Sequence, residues 1–157
     1  MPIPEFVLAL REKIGRDLLW LPGAVGLVLD QEDRILLVRR ADNLRWTLVT
    51  GGLEPGEQPA AGILREILEE TGVVAEIERV IAVESTPRVR HQNGDQAVYM
   101  DVAFLCRFVS GQARVNDDES VDVGWFAPAD LPSLPDRHER YVRRHLEGRT
   151  DTWYAQG

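Results

Sequence analysis

The chain has 157 residues, 44 % of them hydrophobic, which is the size of one ordinary domain with enough apolar material for a single core. Its 26 acidic and 18 basic side chains give a formal net charge of −8, which excludes the basic footprint of a general nucleic-acid binder and leaves any phosphate to be met by local cations. A single cysteine, Cys106, excludes an internal disulfide and a thiolate zinc cluster.

After a leader holding Pro2 and Pro4, the residues Phe6, Val7, Leu10 and Ile14 recur at helical spacing up to Gly15 and predict a first helix. Residues 1–20 read as an N-terminal helical extension, a packing element or a contact for a homodimer. Ala24 to Leu29 and Ile35 to Val38 are short Val/Leu/Ile-rich runs separated by Asp30-Gln31-Glu32-Asp33-Arg34, the pattern of two strands joined by a hairpin loop. Trp46 to Val49 reads as a third strand running into Gly51-Gly52. From Gln58 to Thr71 the period becomes helical, with Pro59 suited to the first turn and Gly72 to the left-handed position past the end. Strands follow at Ile77 to Glu84, Ala97 to Phe108 and Val121 to Phe126. A final helix over residues 135–147 carries Tyr141, Val142, His145 and Leu146 on one side, and the last residues are expected to be loose. Cys106 falls in an apolar run and reads as packing. The alternation predicts one α/β domain over residues 1–157, a mixed β-sheet flanked by helices. With no secretory leader pattern and no apolar run of about 18 residues, a soluble, cytoplasmic protein with no membrane partner is expected.

The run from Gly51 to Val73, GGLEPGEQPAAGILREILEETGV, places five glutamates and one arginine around a single helix. At about 100° per residue, with Glu66 at zero, Glu70 lies at about 40° and Glu69 at about 300°, while Ala60, Ile63, Leu64, Ile67 and Leu68 occupy the arc from about 60° to about 200°. Three carboxylates on one face repel, each i,i+4 like-charged pair costing about 0.2–0.5 kcal/mol even when exposed. A solvated acidic face is the plain reading of such a helix. Two features point beyond it. Gly51, Gly52 and Gly56 form a turn-prone loop that lets backbone approach a ligand, with Glu57 at its end. Gly62, at about 320° on the acidic side, costs roughly 1 kcal/mol relative to alanine and leaves a bare surface for the loop, a metal or a phosphate. Converging hard oxygen ligands suit Mg²⁺.

The spacing of Gly51, Glu57, Arg65, Glu66, Ile67, Glu69, Glu70, Gly72 and Val73 is that of the Nudix box, and the segment 51–73 resembles it at every fixed position. With each of the seven fixed residues at roughly 6 % and two apolar positions added, a chance match is on the order of 10⁻⁸. The order of elements around the box also resembles a complete Nudix domain, a Nudix-type α/β/α sandwich. The sequence departs from many relatives in having Val49-Thr50-Gly51 where they have Pro-Gly-Gly.

The resemblance implies a Mg²⁺-dependent hydrolase, Mn²⁺ able to substitute, that cuts a phosphoanhydride in a nucleoside diphosphate linked to another moiety. It implies Glu66 and Glu70 as metal ligands, with Glu69 and the Thr50 carbonyl joining them. Glu57 and Glu69 are supporting ligands or proton acceptors, and Arg65 is a partner that pins Glu57 and the loop to the helix. The acidic run Asn116-Asp117-Asp118-Glu119-Ser120 reads as a solvated loop, although relatives often supply a late glutamate as ligand or base, for which Glu119 is the candidate. Arg39, Arg40, Arg45, Arg88 and Arg90 are the local cations, of which Arg39 and Arg45, with Gly51 and Gly52, are assigned to the substrate. Trp46, Tyr99 and Trp125 could stack on a base, though strand aromatics are more often core. His91, His138 and His145 have no ligand spacing with the acids.

The box leaves the substrate open: a nucleoside triphosphate, oxidised or not, or a nucleotide sugar such as ADP-ribose, toward which Pro87 points, about fourteen residues past the box. The competing readings are a catalytically idle Nudix-fold nucleotide-binding module, which would be expected to lose box acids, and an isoprenoid diphosphate isomerase, which needs a reactive cysteine that Cys106 does not suit. Extended nucleic acid is disfavoured by the charge.

Overall fold

The structure, a computed structural model, describes residues 3–157, so the first two residues of the expected N-terminal extension lie outside it. In chain order the elements are α1 (Glu5–Ile14), β1 (Leu19–Leu29), β2 (Ile35–Arg40), β3 (Trp46–Thr47), β4 (Val49–Gly52), α2 (Pro59–Thr71), β5 (Val73–Ser85), β6 (Val89–Arg90), β7 (Gln96–Gly111), β8 (Ser120–Phe126), a 3₁₀ turn (Pro128–Asp130), α3 (Asp136–Leu146) and β9 (Trp153–Tyr154).

Side chains alternate across β1, and this organises the fold. Val25, Leu27 and Leu29 enter one core with Tyr141, Val142 and Leu134 from α3 and the segment before it. Ala24 and Val28 enter the other with Ile63 and Ile67 of α2. The mixed sheet, in the order β3-β2-β1-β7-β5-β9 with β4 on β1, β6 on β7 and β8 on β2, thus has a helix on each face. That is the expected α/β architecture.

Strand lengths differ from expectation where pairing is remote in sequence. β1 begins at Leu19, because it runs parallel to β7 from Leu19 opposite Ala97 to Leu29 opposite Arg107. The expected hairpin between β1 and β2 is reduced to one pairing, Leu29 opposite Ile35. β2 then turns away to pair with β8 and β3, leaving the β1 edge to β4. The tail is not loose, since Trp153 and Tyr154 pair with Ala82 and Val83 of β5 and the Arg140 guanidinium lies 4.0 Å over the Trp153 ring.

α2 has the expected limits. Pro59 occupies the first turn, and Gly72, at φ 72, ends the helix by donating its N–H to the Leu68 carbonyl. Its apolar side sits on Gly26, where an added Cβ would lie 3.0 Å from Ile67 Cδ1 and 3.1 Å from Ile63 Cγ1. Burying these two isoleucines contributes about 1.5–3 kcal/mol each. Leu68 lies outside the seam, 47 % exposed. In α3 the buried side is His138, Tyr141 and Val142; Leu146, expected among them, is exposed. No helix among the described residues is long and apolar enough to cross a membrane.

Candidate active site

The acidic face of α2 and the glycine loop meet because two glycines lack side chains. Gly51, in β4 opposite Ala24 of β1, faces α2; a Cβ there would lie 2.2 Å from Glu66 Cγ. Gly62, on α2, faces the loop; a Cβ there would lie 2.4 Å from Leu53 Cδ2 and 3.1 Å from Glu57 Oε2. The loop, one of the occupants expected over Gly62, packs against it through Leu53 and Glu57. The turn is closed by Gly56 at φ 82, with Glu57 N–H donating to the Glu54 carbonyl and Glu54 N–H to Glu57 Oε2.

Arg65 joins these parts. Its Nε and Nη2 donate to the two oxygens of Glu57 at 2.8 and 3.0 Å, and Nη1 donates to Glu66 Oε1 at 2.7 Å and Glu69 Oε2 at 3.2 Å. Hydrogen bonding to Arg65 holds the Glu57 carboxyl below its usual range. Glu66 is 1 % exposed, and burial raises its pKa against the opposing pull of Arg65. Glu70, 4 % exposed, is pushed up to about 8, by burial first and then by the charges of Glu66 and Asp117. Among the described residues no hydrogen bond or ion pair reaches its carboxylate. Glu69 is half-exposed beside Arg65.

The late acidic loop also reaches this end of the helix. Arg114 N–H donates to the Thr71 carbonyl at 2.9 Å, Asn116 N–H to the Glu70 carbonyl at 3.2 Å, and Asn116 Nδ2 to the Leu68 and Glu69 carbonyls at 3.2 and 3.0 Å. Asp117 follows and is close enough to act on Glu70. Glu119, the expected late carboxylate, donates its N–H to Asp117 Oδ1 and accepts Ala41 N–H at its own carbonyl, with side-chain Oε1 buried. Nothing in the acidic run itself sets Asp117 apart from Asp118 and Glu119; the loop's return to α2 does.

Among the arginines the register decides. Arg39 Nε donates to the Leu44 carbonyl and Arg45 is exposed, its charge acting on His138. Arg40 is the one whose charge acts on Glu70, while Asp42 holds it through bonds of 2.9 and 2.6 Å. Thr50 is half-buried opposite Val25, and Gly52 opposite Gly23. Trp46 and Trp125 pack edge-on against Phe126 and Phe108, and the Tyr99 hydroxyl meets His91 Nε2 at 3.2 Å. Nothing in the sequence pattern announced the network on the opposite face, where Asp101 sits over Gly23 and binds Arg137 at 3.0 Å while Glu84 takes Arg140 and Tyr141.

The chemistry of the donors fits a hard divalent cation. Two carboxylates one helical turn apart are buried, one of them without a bonded counterpart among the described residues, at a helix C-terminus whose last turn has no basic residue. The donors are not drawn into a closed cage: among the described residues no three acidic, histidine or cysteine side chains surround one point. Arg65 occupies part of Glu66 and Glu69, so an ion would share them with it or displace it.

A profile of the NUDIX domain matches residues 20–146. The chain is similar to a protein of Bacillus subtilis (strain 168) with the provisional name 8-oxo-dGTP diphosphatase, 32 % identical over 131 residues that span 82 % of each chain. Among solved structures it is similar to a UDP-X diphosphatase, with a TM-score of 0.69 and 28 % identity over 96 % of this chain and 74 % of that one. An ADP-ribose pyrophosphatase from Streptococcus suis 89-1591 gives a TM-score of 0.64 and 27 % identity over 86 % of this chain and 96 % of that one.

Proposed function

Since the chain belongs to the Nudix family and is a phosphoanhydride hydrolase acting on nucleoside diphosphate derivatives, we propose that it hydrolyses, with Mg²⁺, the diphosphate of a nucleoside diphosphate joined to a second moiety. The observation that carries this reading is the burial of Glu66 and Glu70 one turn apart on α2, with no bonded partner for Glu70 among the described residues. Buried acids left so are costly unless a cation compensates them.

Glu66 and Glu70 would hold the ion, with Glu69 and the Thr50 carbonyl as further oxygen donors. When bound, the ion neutralises the diphosphate and acidifies water. The chain does the rest. Arg65 fixes the Gly51–Glu57 loop so that backbone at Gly51 and Gly52 can lie close to phosphate. Glu57, kept ionised by Arg65, orients that arginine and is a poor proton acceptor. Glu119, on the loop that meets α2, is our candidate for taking the proton from the attacking water. Arg40 joins Arg39 and Arg45 as a cation for the substrate, and its position near Glu70 makes it the strongest of the three.

The three relatives bear the names of three different substrates, and what those have in common is the nucleoside diphosphate. The test is a panel of nucleoside triphosphates and nucleoside diphosphate sugars incubated with Mg²⁺, scored by the products released. Hydrolysis of at least one compound that is lost with chelator supports the reading. Turnover indifferent to chelator would refute the metal role.

A further inference from the structure

An α-helix leaves its last four carbonyls without internal partners. In α2 these are Leu68, Glu69, Glu70 and Thr71, and every one is met from outside the helix: Leu68 by Gly72 N–H and Asn116 Nδ2, Glu69 by Asn116 Nδ2, Glu70 by Asn116 N–H, Thr71 by Arg114 N–H. One residue, Asn116, serves three of the four. Helix capping alone would not need a segment that begins 40 residues downstream of Gly72, because Gly72 already closes the helix in the left-handed conformation.

The far end of the same loop is tied as well. The Glu119 carbonyl accepts Ala41 N–H at 2.8 Å, just after Arg40, and Asp117 Oδ1 accepts Glu119 N–H at 3.0 Å, which folds the segment into a tight turn. Asp117 is therefore suspended between two anchors, Asn116 at the Glu70 carbonyl on one side and Glu119 at the Ala41 N–H on the other.

We propose that Asn116 is a positioning residue for the ion site, holding Asp117 beside Glu70 by lashing the late acidic loop to the carboxyl end of α2. The proposal rests on the reading of Glu66 and Glu70 as holders of a divalent cation. It explains why like charges gather at a helix end where the dipole already disfavours them: the loop adds a further carboxylate whose charge is useful only when a cation is present.

The experiment is direct titration of the whole protein, without substrate, with Mn²⁺ and Mg²⁺ by calorimetry, on the wild type, Asn116→Ala, Asp117→Asn and the double variant, with melting in chelator as the fold control. Each single variant should bind the ion roughly tenfold more weakly, and the double variant no more weakly than Asp117→Asn, because the lash acts through that carboxylate. A structural cap alone would lower the melting temperature of Asn116→Ala without moving ion affinity. Asp117→Asn keeps every carbonyl bond of the lash, so wild-type affinity in that variant overturns the proposal even if Asn116→Ala fails to fold. Additive losses in the double variant overturn it too. A wild type that binds neither ion refutes the metal reading and the lash with it, whereas a wild type that binds while both variants bind equally well refutes the lash alone.

Discussion

Arg65 grips Glu57 through two parallel bonds, Nε to Oε1 at 2.8 Å and Nη2 to Oε2 at 3.0 Å, and so fastens the loop after β4 to the acidic face of α2. A lysine would keep the charge but lose the planar fork, and with it the simultaneous contacts to Glu66 and Glu69. Arg65→Lys should lower kcat/KM by about 10–100-fold, the range for residues that orient ligands. Steady-state kinetics beside a thermal melt checks this, and wild-type turnover would mean the loop works unclamped.

Glu66→Gln and Glu70→Gln should remove Mg²⁺-dependent hydrolysis by more than about 100-fold, beyond the range of residues that only orient ligands, while circular dichroism shows a retained fold. Both amides fit the space of the acids they replace. If either variant keeps a tenth of wild-type activity, that residue does not hold the ion.

The box was legible in the sequence because its signals are local. Pro59 and Gly72 mark the two ends of α2 within one turn each, and the apolar arc at Ile63 and Ile67 sets which side is buried. What was not legible depends on partners far away in the chain. Leu19 to Pro22 join β1 only because β7 lies alongside, and Trp153 becomes a strand residue only on meeting β5. Consecutive arginines at 39 and 40 meet different partners, the Leu44 carbonyl and the Asp42 carboxylate, across an irregularity in the β2–β8 pairing, so composition could not say whose charge acts on Glu70. Asp117 gains its place from bonds between Asn116 and α2, which no periodicity encodes.

Gly62→Ala should separate activity from stability. The new methyl collides with Leu53 Cδ2 at 2.4 Å and crowds Glu57, yet alanine returns roughly 1 kcal/mol of helix propensity. The loop is the part expected to yield, with turnover down about tenfold and the melting temperature within a few degrees of wild type. Gly51→Ala drives its methyl into Glu66 Cγ at 2.2 Å, against a fully buried side chain, and should lose both. Intact turnover in a folded Gly62→Ala would show that the loop has room to spare.

Glu70 makes the ion-free protein sensitive to rising pH. Its carboxyl ionises near 4.5 in the unfolded chain and near 8 when folded, raised by burial and by Glu66 and Asp117. Folding therefore retains a proton that the unfolded chain has released, and the stability present below about 4.5 is lost as pH climbs toward 8. In chelator, the urea midpoint should fall from pH 6 to pH 8; saturating Mg²⁺ should flatten that slope, and Glu70→Gln should abolish it. An undiminished slope in Glu70→Gln would place the titrating group elsewhere.

His138 acts in the opposite sense. It is 3 % exposed, its Nδ1 accepts the Leu48 N–H at 3.3 Å, and burial lowers its pKa from 6.5 to about 3, assisted by the charges of Arg137, Arg40 and Arg45. The unfolded chain gains a proton on this ring below about 6.5 while the folded chain refuses it until about 3, so the neutral ring's contribution is complete above 6.5 and drains away as pH falls through that window. One such group has a limiting slope of about 1.4 kcal/mol per pH unit. With Mg²⁺ saturating to silence Glu70, the free energy of unfolding should drop by roughly 1–2 kcal/mol between pH 6.5 and pH 5. His138→Gln retains an acceptor for Leu48 and cannot take the proton, so this variant should lose the slope even where its absolute stability is lower. If the slope survives the substitution, another group takes up the proton on acid unfolding and the buried imidazole of His138 is not the source.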